Sequence, residues 1–261
     1  MDLQRISTCT YPVRQKDLDY TFKLMADSGF KKVDLWGGLP NYSNDPKQCD
    51  VAALKRKAAE YGLRIANLGT YPGIKFFEVG PEAEFEDMKR AVDNAAFLGA
   101  RSIRVCPGKG EDPKAIDELV PFFKRSAAYA ERKGVFLGFE NHKGSLAGNP
   151  DLCLKLASAV GSKHFGVLFE PANLRHCDVD CRDAFKVFHD WITHIHVKDC
   201  RVVNGKYERV MLGAGEIDYR WVIDAMESVG YQGDYALEYE IEDLVPIADG
   251  LPKWLTYFLA L

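Results

Sequence analysis

Short runs of apolar and β-branched residues alternate along the chain with longer segments whose apolar positions recur every three or four residues, the period of a helix with one buried face. The first half reads as four strand–helix pairs: "RISTCT" before "QKDLDYTFKLMADSG", "KKVDLW" before "PKQCDVAALKRKAAEYG", "LRIANLG" before "PEAEFEDMKRAVDNAAFLG", and "ARSIRVC" before "DPKAIDELVPFFKRSAAYAERKG". The second half repeats the scheme. "VFLGFE" precedes "NPDLCLKLASAVG", "FGVLFE" precedes "CRDAFKVFHDW", "THIHVK" precedes "DYRWVIDAMESVG", and "YALEYE" precedes "LPKWLTYFLAL". Glycine stops most of these helices, as at Gly99, Gly134 and Gly161, because it takes the left-handed backbone of a helix C-terminus without strain.

Eight such units in 261 residues predict an α/β fold of one kind, a single (β/α)8 TIM barrel spanning residues 1–261. A doubly wound sheet normally carries a glycine-rich turn after its first strand, and "TCTYPV" has none there. Gly213 and Gly215 of "LGAGEID" fall in a late loop, so a dinucleotide site is not indicated. No linker or change of composition divides the chain.

The apolar pattern breaks at four strand ends, on the barrel face where active sites form. "GVFLGFENH" has the composition of a strand buried on both faces, yet it ends in Glu140, Asn141 and His142. The sixth strand ends in Glu170 ("VLFEPAN"), the seventh carries His196 ("THIHVKD"), and the eighth carries Glu238 ("YALEYE"). His194 points the same way as His196, two residues on, and is the other candidate ligand on that strand. Three carboxylates at one low-dielectric mouth repel one another, so a compensating cation is expected. A hard divalent ion with oxygen and imidazole ligands meets that demand.

Composition narrows the classes further. The net charge is −4 and there is no basic run, which argues against nucleic acid or an anionic membrane as partner. No stretch is apolar enough to span a bilayer and the first residues lack a secretion signal, so a cytoplasmic location is expected. The seven cysteines are odd in number and scattered, which predicts reduced thiols rather than a disulfide framework.

The strand-end motifs "GFENH", "FEPAN", "HIHVKD" and "ALEYE" resemble those of the xylose isomerase-like barrel superfamily of sugar and sugar-phosphate isomerases and epimerases, over essentially the whole chain. The resemblance implies one divalent metal ion (Mn²⁺, Mg²⁺, Co²⁺ or Zn²⁺), held by Glu140, Glu170, His196 and Glu238. Glu140 and Glu238 double as the proton-transferring pair. It implies that the metal polarises the carbonyl of an open-chain sugar and stabilises an enediolate. Glu170 stands where the family usually has Asp, and Asn173 where many members have His. His142, the histidine of "ENH", faces the sugar in relatives. Lys198 and Arg201 follow the seventh-strand ligand as a phosphate or hydroxyl clamp, Trp36 is a candidate floor for the sugar ring, and Asp34 has no assigned role. Relatives often form dimers or tetramers, which makes a homo-oligomer an expectation too.

Two other readings use the same mouth. Elimination of a β-hydroxyl from the same intermediate makes the enzyme a dehydratase of an inosose or dehydroshikimate type. The departures at Glu170 and Asn173 fit a non-catalytic sugar-binding barrel, or one completed by a partner protein. An apurinic-site endonuclease needs further histidines on earlier strands for three zinc ions and a basic surface for DNA. "NLGTYPG" and "RVCPGKG" supply no such histidines.

Overall fold

The computed structural model describes residues 1–261. Its ten strands are β1 (Ile6–Cys9), β2 (Lys32–Trp36), β3 (Arg64–Gly69), β4 (Ser102–Val105), β5 (Phe136–Glu140), β6 (Phe165–Phe169), β7 (Ile192–Val197), β8 (Asp199–Val203), β9 (Lys206–Val210) and β10 (Tyr235–Leu237). Strands β1 to β7 lie side by side in chain order, and β10 closes a parallel barrel by pairing with β7 on one side and β1 on the other. The helices are α1 (Leu18–Asp27), α2 (Val51–Glu60), the short α3 (Phe76–Val79), α4 (Pro81–Leu98), α5 (Ala115–Lys133), α6 (Pro150–Val160), the short α7 (Pro171–His176), α8 (Cys181–Phe188), α9 (Tyr219–Ser228) and α10 (Ile247–Leu259). No helix is long and apolar enough to cross a membrane. All seven cysteines are free.

Helix boundaries follow the side chains that satisfy the first backbone N–H groups. The α1 and α2 helices begin later than apolar periodicity suggests, because Asp17 accepts from the Tyr20 N–H and Asp50 from the Ala53 N–H. Each such cap is worth ~1 kcal/mol. At the C-terminal end of the chain the deviation runs the other way. Helix α10 starts at Ile247, four residues before the stretch read from sequence, and runs through Pro252. Its first turn packs on Tyr239 at Gly250, where a Cβ would strike the tyrosine hydroxyl.

Between strands and helices lies the apolar core, in which the rings of Phe123, Phe165 and Phe139 pack in sequence with centroids 4.6 and 5.2 Å apart. Truncating Phe165 to Ala would cost about 3–5 kcal/mol, the usual penalty for a deleted core aromatic.

One element went unread in the sequence. Strands β8 and β9 form an antiparallel hairpin that leaves the barrel directly after β7. It turns at Asn204 and Gly205, both at positive φ (52° and 76°), as a two-residue hairpin turn requires. Its base is fixed by Asp199, whose carboxylate accepts from the backbone N–H groups of Cys200, Gly213, Gly215 and Ile217. The glycines of "LGAGEID" therefore serve this carboxylate. A Cβ at Gly215 would strike the Asp199 carboxylate.

Candidate active site

The barrel interior holds two polar layers that meet at His196. In the lower one Asp34 is central: Oδ1 accepts from Ser7 Oγ at 2.7 Å, and Oδ2 lies 2.6 Å from His194 Nε2 and 3.5 Å from His196 Nε2. Cys9 Sγ lies 3.7 Å from the same His196 nitrogen. Burial alone would raise the Asp34 carboxyl, but the charge and hydrogen bonds of His194 and His196 outweigh it and hold the group well below the usual range. Burial pushes the Cys9 thiol up to about 12, so it stays protonated. His194, the rival ligand on β7, is thus committed to Asp34, while His196 reaches the layer above.

That upper layer is incomplete. His196 Nδ1 has no hydrogen-bond partner. It faces Glu140 Oε1 at 3.4 Å and Glu238 Oε2 at 3.5 Å, so one imidazole nitrogen and two carboxylate oxygens lie within 4.8 Å of one another. A buried polar atom without a partner is costly, and this donor set suits a divalent ion of hard or borderline character. Asp34 at the opposite ring nitrogen is the carboxylate–histidine arrangement that commonly orients a metal-binding imidazole.

The mouth also holds its own cations. Arg104 at the end of β4 donates from Nη1 to Glu140 Oε2 at 2.8 Å. Lys198 Nζ, buried, lies 2.9 Å from Glu238, 2.8 Å from Glu240 and 3.4 Å from Glu170. These contacts sort the carboxylates. Burial raises Glu140, but the charges of the adjacent His196 and Arg104 overcome it and hold the group well below normal. Burial likewise works against Glu238, and Lys198 and His196 bring it down to about 2. Glu240 is pushed up, by burial and then by the charge of Glu238. Burial lifts Glu170 to about 7 against the pull of Lys198. Burial opposes protonation of His196, yet the acidic groups around it, Cys9 followed by Glu238 and Asp34, raise it well above its ordinary value.

Glu140, His196 and Glu238 therefore converge as the strand-end reading expects, and Glu170 is engaged differently. Its two carboxylate oxygens accept from the N–H groups of Ala172 (2.9 Å) and Asn173 (2.8 Å), capping α7. Asn141 bridges the ends of β5 and β6 by donating to the Glu170 carbonyl and accepting from the Glu170 N–H. Asn173 Nδ2 reaches Glu140 Oε1 at 3.3 Å.

Above this layer opens a cavity of about 660 Å³, lined by Glu140, Glu238, Lys198, Asn173 and His142 among others. Trp36 is not in its lining. The indole donates to Tyr71 Oη at 2.9 Å and meets Tyr11 edge-on at 6.2 Å, and those two tyrosines form the wall. Arg201 is exposed on the outside of the hairpin, paired with Glu208 at 3.0 Å, whereas Arg209 and Tyr207 of β9 reach the cavity. Arg104, Glu240, Tyr207 and Arg209 were not singled out from sequence, and Asn141 was named at the end of the fifth strand without a role. Arg104 carried the same signal as Glu140, a charge inside an apolar strand run ("SIRV").

Comparison with known proteins identifies the family and the fold. The profile of the family described as xylose isomerase-like TIM barrel matches residues 22–257. An uncharacterized protein of Methanocaldococcus jannaschii is 24% identical over 184 residues, covering 65% of this chain and 61% of that protein's length. An inosose dehydratase of Clostridium perfringens is 23% identical over 250 residues, 83% of this chain and 80% of its own. Among solved structures, a xylose isomerase-like TIM barrel protein from Mycobacterium smegmatis in complex with magnesium superposes with a TM-score of 0.83 at 16% identity, covering 100% of this chain and 97% of the other. The IOLI protein with a binding zinc atom gives 0.79 at 14% identity (98% and 96% covered), and a D-allulose 3-epimerase from Methylomonas sp. gives 0.75 at 17% (98% and 96% covered). At these identities the superpositions show a shared fold, one used by both epimerases and dehydratases.

Proposed function

The chain belongs to the xylose isomerase-like TIM-barrel family, and we propose that it is a divalent-metal-dependent isomerase or epimerase of a sugar or sugar phosphate, with Glu140 and Glu238 as its proton-transferring pair. The observation that carries this reading is the convergence of Glu140 and Glu238 on the partnerless Nδ1 of His196, at the floor of an open cavity. Glu140, His196 and Glu238 would hold the ion, with Glu170 as the fourth ligand and third carboxylate. The ion, when bound, supplies a Lewis acid that makes the carbon next to the substrate carbonyl more acidic.

Arg104 and Lys198 keep Glu140 and Glu238 ionised and able to accept a proton at neutral pH. One of the two takes the proton from the carbon beside the carbonyl, and the electron pair moves onto the carbonyl oxygen to leave an enediolate. The fixed charges of Lys198 and Arg104 offset the negative charge that develops there. Return of a proton by the other glutamate to the opposite face of the same carbon gives an epimer; return to the neighbouring carbon gives the aldose–ketose isomer. Asn173 and His142 meet substrate hydroxyls.

A panel of ketoses, aldoses, their phosphates and inososes, incubated with the enzyme and Mn²⁺ in heavy water, should show deuterium at the carbon next to the carbonyl. Exchange that is undiminished in both Glu140→Gln and Glu238→Gln overturns the mechanism. The inosose dehydratase among the relatives favours one second reading, loss of a β-hydroxyl from the same enediolate. In the same panel that activity would appear as a dehydrated product.

A further inference from the structure

The cavity lining has a charge opposite in sign to that of the chain. The protein carries a net −4, yet five side-chain cations line the cavity (Arg104, Lys109, Lys143, Lys198, Arg209) against three carboxylates (Glu140, Glu238, Glu240), an excess of two positive charges before any histidine is counted. The excess is unevenly placed. At the inner end Arg104 is matched by Glu140, and Lys198 by Glu238 and Glu240. The other three sit on the outer segments and have no carboxylate of the lining for a partner: Lys109 pairs with Glu78 and Arg209 with Asp243, both at exposed contacts outside the cavity, and Lys143 pairs with none. Exposed pairs of that kind are worth less than ~1 kcal/mol and are readily exchanged for a ligand.

The backbone joins the two loops that carry Lys109 and Lys143. Lys109 lies on the loop after β4 and Lys143 on the loop after β5, and the two loops are joined by a β-bridge between Gly110 and Ser145 and by a 2.8 Å bond from the Leu146 N–H to the Gly110 carbonyl. His176, stacked on Tyr207 of the hairpin with centroids 4.4 Å apart, faces the same space. Burial, followed by the charges of Lys143 and His142, holds its imidazole below the ordinary value.

We infer that the substrate is a polyhydroxy carbonyl compound bearing an anionic group, a phosphate or a carboxylate, remote from its reacting carbon, and that Lys143 with Lys109 and Arg209 receives that group at the outer rim. The inference rests on the proton-transfer reading for the placement of the reacting carbon. It goes beyond that reading by fixing the charge of the substrate and its orientation, with the anion outward.

Three unreactive probes test it in the full chain. Ribitol, ribonate and ribitol 5-phosphate have no aldehyde or ketone carbonyl and cannot turn over, so calorimetric titration reads binding alone. At least one anionic probe should bind about tenfold or more tightly than ribitol at low salt, an advantage that shrinks as added salt shortens the reach of exposed charges. Ribonate against ribitol 5-phosphate then tells which anion the rim accepts. Lys143→Glu should collapse the ratio of anionic to neutral affinity, and Lys109→Glu should lower it. Equal behaviour of all three probes, whether all bind or none does, overturns the inference, and so does a ratio that survives both substitutions. Deuterium exchange on the same preparation keeps the two readings apart. Exchange of a neutral ketose without anionic preference defeats only the rim, and anionic preference with no exchange from any compound defeats only the proton transfer.

Discussion

His196 divides two layers built from similar residue types that are finished to different degrees. On its Nε2 side Asp34, His194 and Ser7 form a closed set with contacts of 2.6 and 2.7 Å and no access to the cavity. On its Nδ1 side Glu140 and Glu238 stand at 3.4 and 3.5 Å, short of good hydrogen-bond geometry, and open to solvent through the cavity. A satisfied buried network stabilises and orients, whereas one left unsatisfied beside a cavity awaits a ligand. Substitutions in the lower layer should therefore act on stability, and substitutions in the upper layer on chemistry.

The largest effect expected is kinetic. Glu140→Gln and Glu238→Gln keep the shape and remove the base, so each should slow deuterium exchange by about 10²–10⁴-fold while denaturant midpoints move little. A stability loss in these variants as large as that in the lower layer would erase the distinction between the layers.

Next comes Asp34→Asn, which leaves His194 buried without its carboxylate and should cost about 3 kcal/mol in denaturant unfolding at neutral pH. The sign of its pH dependence follows from the depressed native carboxyl. Its stabilisation is fully present above the unfolded value and begins to fade below about pH 5, continuing until pH falls through the native value. The gap between wild type and Asp34→Asn should thus narrow as the solution is acidified. A gap constant with pH would mean that the carboxylate charge contributes nothing.

Metal uptake offers a middle-sized test. With its native value raised, His196 holds a proton more firmly than a free imidazole does, and a metal ion at Nδ1 competes with that proton. Mn²⁺ binding should tighten as pH rises and should release protons, measured by calorimetry in buffers of different ionisation enthalpy. The His196→Ala variant should take up less metal, and undiminished metal content would exclude His196 as a ligand. The smallest change belongs to Asn173→Ala: a KM several-fold higher at nearly constant metal content, as when a neutral contact to substrate is removed. Loss of metal in that variant would make Asn173 a ligand through its carbonyl oxygen.

The barrel was legible from periodicity, because each strand is a short apolar run and each helix has one apolar face. The convergence of Glu140, His196 and Glu238 was legible for a related reason, since they interrupt those runs; Glu170 interrupts one in the same way but caps α7. The compensating charge was harder to see. Counting carboxylates alone demanded an external ion, while Arg104, an interruption of the same kind, and Lys198, read as a substrate clamp, already supply two positive charges inside the mouth. The lower layer stayed hidden because Asp34 and His194 are far apart in sequence and only barrel closure brings β2 and β7 within reach across the interior. The hairpin carried an Asn-Gly turn between two β-rich runs, a local signal sufficient to find it.

That hairpin is the one piece of sheet that takes no part in closing the wall. Asp199 clamps its root through four backbone N–H groups, and its tip at Asn204 and Gly205 is exposed. Barrel stability and the shape of the mouth are for this reason separable. The exposed stretch from Arg201 to Lys206 can be exchanged or relengthened like the head of a tool whose handle stays fixed, without any strand of the barrel being rebuilt, while Cys200 and Val210 at its root stay buried and Tyr207 and Arg209 line the cavity.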